Sequence, residues 1–109
     1  MRDSDWNIIY ELHQHPSITK VSGLLYKSQS AITKRLQAME EELQCRIVER
    51  TPQGVRFTQE GEFLFQMAEK YLQLGNEVQE GLRKLREERK ETILLGSAFT
   101  YTKYSLYEV

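Results

Sequence analysis

The sequence predicts a mainly α-helical fold built from three short helices, a β-hairpin and one long helix. Three observations carry that prediction. Apolar residues recur at helical spacing in three short blocks before Gln44, and two β-prone runs flank a Pro-Gly tip. After Thr58 an apolar residue returns every seventh position for several turns.

Size and composition bound the answer first. A chain of 109 residues with 39% hydrophobic content has room for one small core and an appendage, not for two full domains. No run approaches the ~20 apolar residues of a membrane span, and the N-terminus lacks a basic-then-apolar signal, so no membrane partner is expected and the cytoplasm is the expected location. The single Cys excludes an internal disulfide and a multi-cysteine zinc site.

The elements follow in order. Trp6, Ile9, Tyr10 and His13 share helical spacing, with Ser4 as the expected N-cap, until His15-Pro16-Ser17 breaks the pattern. Thr19 is the expected cap of a short second helix carrying Val21, Leu24 and Leu25. After the tight turn at Tyr26-Lys27, Ser28 caps a third helix in which Ala31, Ile32, Leu36, Met39 and Leu43 repeat at spacings of three and four. The opposite face of that helix is small, polar and basic: Gln29, Ser30, Thr33, Lys34 and Gln37.

Ile47–Arg50 and Val55–Thr58 around Thr51-Pro52-Gln53-Gly54 predict a hairpin. From Gln59 to about Glu91 the sequence predicts a long helix with Leu64, Tyr71, Val78 and Leu85 in one seam and Met67 and Leu74 in the other. Gly75 and Gly81 each cost such a helix ~1 kcal/mol relative to Ala, so packing must supply its stability. The first turns can pack on the three-helix core. The part holding Leu74, Val78, Leu82 and Leu85 extends too far, at ~1.5 Å per residue, for so small a core to cover, which favours dimerisation. Ile93-Leu94-Leu95-Gly96 reads as a strand opening a further, truncated domain over residues 92–109.

The formal net charge of -1 conceals an uneven distribution. Between Leu12 and Met39 there is no acidic residue, while Lys20, Lys27, Lys34 and Arg35 all fall there. Charge alone fits a polyanion-binding face and a solvated face equally well. Geometry adds the rest. Three helices joined by tight turns, the third polar and basic outside, followed by a hairpin, describe a winged helix-turn-helix over residues 1–58. In such a fold the third helix offers its N-terminal side chains to base edges in the major groove. Gln29 can pair with adenine, Ser30 and Thr33 can bond several edges, and Lys34 can reach guanine or a phosphate.

Ser28-Gln29-Ser30-Ala31-Ile32-Thr33-Lys34 resembles the start of the recognition helix in LysR-type transcriptional regulators. So do Ile18-Thr19-Lys20, the run from Leu36 to Leu43, Glu49-Arg50-Thr51 and Thr58-Gln59-Glu60-Gly61, in the same order and spacing. The resemblance extends from about Ile8 to Gly96. It implies a helix-turn-helix at about 18–37, a wing at about 47–58 and a linker helix at 59–91 that pairs with a second subunit. It also implies base contacts from Gln29, Ser30, Thr33 and Lys34, and phosphate contacts from Thr19, Ser28, Arg50 and Thr58. Arg35 stands where the family usually has Gln and is expected to add a phosphate contact.

The resemblance departs at Val21-Ser22, in place of two alanines, at Gln44, in place of a helix-ending Gly, and at Ile47-Val48, in place of Leu-Phe. Gln53, at the wing tip, stands where a basic residue is common. No cofactor is expected in this fragment, and the resemblance places any small-molecule effector site in the absent domain. The expected partners are double-stranded DNA and a second copy of the chain.

Competing chemistry is weakly represented. His13 and His15 point to different sides of a helix that Pro16 ends, so they make a poor metal pair with Cys45. His13 is expected to pack at a helix interface and Cys45 in the turn before the hairpin. Three consecutive glutamates, Glu40 to Glu42, fan out around a helix and read as a solvated face. No Walker, dinucleotide or Gly-x-Ser-x-Gly pattern is present, so an enzyme is not expected. The rival function is a winged-helix module that docks a protein and no DNA.

Overall fold

The computed structural model describes residues 1–95, with side chains through residue 89. Its elements are α1 (Asp3–Gln14), α2 (Ile18–Leu24), α3 (Gln29–Leu43), β1 (Val48–Thr51), β2 (Gly54–Phe57) and α4 (Gln59–Leu95). Two compact units divide the chain: Met1–Gln73, and a second unit that begins at Leu74 within α4.

Helix starts differ from the expectation at two places. α1 begins at Asp3 with Arg2, not Ser4, as its N-cap. The Arg2 backbone N–H donates to Asp5 Oδ2 at 2.8 Å, and Asp3 and Asp5 put negative charge at the positive end of the helix dipole. Ser17, not Thr19, caps α2, its hydroxyl accepting from Lys20 N at 3.3 Å. The residue after Pro16 is already extended, so the cap falls there and Thr19 lies inside the helix.

α3 starts where the sequence places it, with Ser28 Oγ accepting from Ala31 N at 3.0 Å. It ends on Gln44 in the left-handed conformation (φ 57°, ψ 42°), a role usually filled by Gly. The Gln44 amide donates to the Glu41 carbonyl at 2.7 Å.

The hairpin pairs β1 and β2 antiparallel, with Val48 opposite Phe57 and Thr51 opposite Gly54. Gly54 has φ 137°, and a side chain there would overlap the Pro16 carbonyl oxygen. That carbonyl accepts from Val55 N at 3.1 Å, so the hairpin is tied to the loop between α1 and α2.

Ile8, Ile9, Leu12, Ile32, Met39 and Ile47 are fully buried, joining the three helices and the hairpin into one core, with Leu64 and Ala68 of α4 closing it. Aromatic rings then line the seam between α1 and the start of α4. Trp6 stacks on Tyr71 (5.7 Å between centroids), Tyr10 on Phe65 (5.9 Å), and His13 on Phe65 (3.6 Å). His13 Nε2 also lies 2.9 Å from Glu62 Oε2, so this imidazole is interface packing, as expected. Cys45 is a half-buried free thiol in the turn before β1.

α4 continues to Leu95, so residues 93–95 are helical and not the expected strand. Ile-Leu-Leu suits either structure, and no proline or glycine separates it from the preceding helical turns. Of the further domain expected over residues 92–109, residues 96–109 lie outside the described residues.

Candidate nucleic-acid interface

The outer face of α3 is defined by what its inner face buries. Ile32, Leu36 and Met39 are fixed in the core. At 3.6 residues per turn, Gln29, Ser30, Thr33 and Lys34 therefore share the outward side of its first turns. Gln29, Ser30 and Lys34 are exposed and Thr33 is half-buried. The first turn of α3 carries no acidic residue. Its N-terminal N–H groups and the Ser28 cap thus have no acidic side chain of their own turn beside them. Ser28 Oγ accepts one intrahelical bond and keeps its own proton for an outside acceptor.

Exposed cations lie on this face and on the elements that flank α3 in the chain. Lys20, Lys27 and Lys34 are exposed, and none forms an ion pair among the described residues. Thr19 is exposed on α2. Arg50, on β1, reaches across so that its Nη2 donates to Thr33 Oγ1 at 3.2 Å. The hairpin and the outward face of α3 meet at that bond. Gln53 is exposed at the hairpin tip.

Two expected phosphate contacts are occupied elsewhere. The Arg35 guanidinium donates from Nε to Asp5 Oδ1 at 3.0 Å and from Nη2 to Asp5 Oδ2 at 2.7 Å. Arg35 sits on the side of α3 nearly opposite the Gln29 to Lys34 face, turned toward α1. Thr58 caps α4. Its hydroxyl faces the carbonyls of Arg46 (2.6 Å) and Ile47 (3.1 Å) and accepts from Gly61 N at 3.0 Å. Both side chains, which the resemblance implies as phosphate contacts, are engaged within the fold by partners distant in sequence or in the local turn.

Other contributors escape sequence inspection. Asp5 is 0% exposed, although an acid in a first helical turn ordinarily faces water. Burial pushes its carboxyl up, but the hydrogen bonds from Arg35 and Arg2 outweigh burial and hold it below the ordinary carboxylate value. Glu40 is not part of a solvated face. Its side chain is 17% exposed, and Oε2 accepts from Ile47 N at 2.7 Å, which fastens α3 to the start of the hairpin. The run of three glutamates hid that role. Its signal would have been the apolar Ile47 whose N–H needed a partner.

In the second unit Leu74, Val78, Leu82 and Leu85 are 51–59% exposed along α4, an apolar stripe uncovered in the single chain. No helix among the described residues is long and apolar enough to cross a membrane.

A three-helix core with a β-hairpin beside an outward-facing third helix is a winged helix-turn-helix, the class of protein that this fold and site define. Residues 4–62 match the family of bacterial regulatory helix-turn-helix proteins named for lysR, and the chain belongs to that family. It is 31% identical over 106 residues to an uncharacterized HTH-type transcriptional regulator of Bacillus subtilis, YraN, covering 97% of this chain and 37% of that protein. Among solved structures it resembles full-length LysG of Corynebacterium glutamicum, with a TM-score of 0.75 and 27% identity over 81% of this chain and 30% of that one. It also resembles the DNA-binding domain of BenM in complex with catB site 1 DNA. There the TM-score is 0.73 and the identity 26%, over 79% of this chain and 97% of that one. The chain thus spans little more than a third of YraN and less of LysG.

Proposed function

We propose that this chain binds double-stranded DNA with sequence preference, as a dimer, in the cytoplasm. Gln29, Ser30, Thr33 and Lys34 read base edges in the major groove, and Thr19, Ser28 and Arg50 contact phosphates. The observation that carries this is the outward side of the first turns of α3: polar and basic, with no acid in the first turn, and exposed at three of its four reading positions. The BenM domain, of the same fold, is bound to DNA in its own structure.

The apolar stripe at Leu74, Val78, Leu82 and Leu85 supplies the dimer contact. Two helices that cover each other's stripe remove the exposed apolar surface. Two recognition helices on one face of DNA then call for half-sites ~34–36 Å apart, or a multiple of that spacing.

Fluorescence anisotropy with a random-sequence duplex and with duplexes enriched from a random pool, across a salt series, tests the function. Salt-sensitive binding with enrichment of a two-fold-symmetric sequence is expected. An intact dimer that binds no duplex at low salt would overturn the DNA-reading function and point to a protein-docking module.

A further inference from the structure

Asp5 and Arg35 form the one ion pair of the described residues in which a partner is fully buried. Both oxygens of Asp5 are used: Oδ1 accepts from Arg35 Nε at 3.0 Å, and Oδ2 accepts from Arg35 Nη2 at 2.7 Å and from the Arg2 N–H at 2.8 Å. The carboxylate is therefore anchored to its own helix start while it grips the guanidinium from two sides. The fork fixes direction as well as distance, which a single point charge does not.

The pair joins the start of α1 to the back of α3. Arg35 follows Lys34 directly in sequence yet lies on the opposite side of the helix from the reading face. Side-chain tips stand ~5–6 Å from a helix axis, so turning α3 by 10° displaces them by about 1 Å. A displacement of that size takes a hydrogen bond out of its 2.7–3.2 Å range. The apolar contacts of Ile32, Leu36 and Met39 hold α3 in the core and Glu40 ties its far end to the hairpin, while the Asp5–Arg35 fork adds a directional restraint close behind the Gln29 to Lys34 face.

We infer that Asp5 and Arg35 are positioning residues for DNA recognition, a bidentate clamp that sets the rotation of α3 and thereby which base edges Gln29, Thr33 and Lys34 reach. The inference rests on the proposed DNA-reading function. It assigns Arg35 to specificity through position and takes it out of the phosphate contacts, and it gives Asp5 a part in recognition although Asp5 never meets DNA.

The test measures two affinities for each variant of the full 109-residue chain: one for the duplex enriched by the wild type, one for a random-sequence duplex, each across a salt series. Thermal melts accompany them, so that only folded protein is compared. Arg35→Gln and Arg35→Lys are each expected to lower the ratio of the two affinities about tenfold, within the range for a misplaced base contact, with non-specific affinity and salt slope unchanged. Asp5→Asn should do the same, and its combination with Arg35→Gln should add little, because both break one clamp.

A purely structural pair would lower the melting temperature and leave the ratio intact, which overturns the inference. So would a phosphate contact, where Arg35→Lys changes little and Arg35→Gln weakens both duplexes alike with a shallower salt slope. Arg35→Lys keeps the charge, so it serves where Arg35→Gln is poorly folded. A wild-type chain that prefers no duplex at all overturns the DNA-reading function itself, and the inference with it.

Discussion

Arg50 Nη2 donates to Thr33 Oγ1 at 3.2 Å, so a strand of the hairpin and the outward face of α3 share a hydrogen bond between two residues implied in different tasks, a phosphate and a base contact. The bond uses one of the five guanidinium N–H groups. The rest of the Arg50 head stays at the exposed edge between hairpin and helix, where a phosphate can lie beside the outward side chains of α3.

Arg50 and Lys34 can accordingly be told apart. Arg50→Ala should weaken binding to all duplexes and make the plot of log affinity against log salt shallower by about 0.9. Lys34→Ala should cost roughly 1–3 kcal/mol on the preferred duplex with relaxed preference at one position. An unchanged slope for Arg50→Ala would remove its phosphate role. Uniform loss for Lys34→Ala would make that lysine a phosphate contact.

The α4 stripe makes a separate prediction about assembly. Val78 is 52% exposed between Leu74 and Leu82 in the second unit, so Val78→Glu adds a charge to the proposed seam and changes no residue of the winged-helix core. Sedimentation equilibrium should show the wild type as a dimer and Val78→Glu shifted toward monomer, with an unchanged circular-dichroism spectrum in the hairpin and helix bands. A variant that stays dimeric would place the contact elsewhere.

Glycines on α4 should respond in opposite directions. At Gly61 a Cβ would overlap the carbonyl oxygen of buried Ile47 and come within 2.9 Å of the Phe57 ring, which packs against the core, so Gly61→Ala should destabilise the chain by about 1–3 kcal/mol. At Gly75 nothing lies within 4 Å, and Gly75→Ala should stabilise the helix by about 0.5–1 kcal/mol. Urea denaturation of both variants measures the pair. Equal effects would contradict the close approach of α4 to the hairpin.

Gln44 carries the conformational penalty of a left-handed residue, about 1–2 kcal/mol, against one side-chain bond to the Glu41 carbonyl. Gln44→Gly should raise stability by several tenths of a kcal/mol to about 1 kcal/mol in the same denaturation experiment. A loss of stability would show that the amide bond outweighs the backbone cost.

The Asp5 carboxyl links stability to acid. Burial pushes it up, yet Arg35 and Arg2 together hold it below its unperturbed value of 3.8. The unfolded chain takes up that proton first as pH falls, so protonation favours unfolding. The contribution of the clamp is present in full above about pH 5 and is lost as pH falls through the folded value. Thermal melts of the wild type and Asp5→Asn should differ at pH 7 and converge at the acid end. A constant gap would mean that the carboxylate charge does not act through this pair.

Much of the fold is legible in the chain's local patterns. Ser28 followed by apolar positions at spacings of three and four defines α3, and the β-prone runs around Pro52 and Gly54 define the hairpin. The helix starts at Arg2 and Ser17 are less legible, because Ser4 and Thr19 are equally good caps and the choice depends on where the chain turns. Ile93 to Leu95 illustrates the same ambiguity at the other end, where three apolar residues suit strand and helix alike.

By itself the sequence determined the kind of protein: local periodicity, cap residues and turn chemistry are properties of neighbours in the chain, and they sufficed for the winged helix, the polar outward face of its third helix and the apolar stripe. Only the tertiary structure decided which polar side chains are spoken for. Arg35 and Asp5 are thirty residues apart, and Glu40 meets the Ile47 N–H across a turn. Free and engaged charges look identical along a chain. They separate only when folding brings a partner within about 3 Å, because hydrogen bonding and desolvation act over distances that sequence spacing does not record.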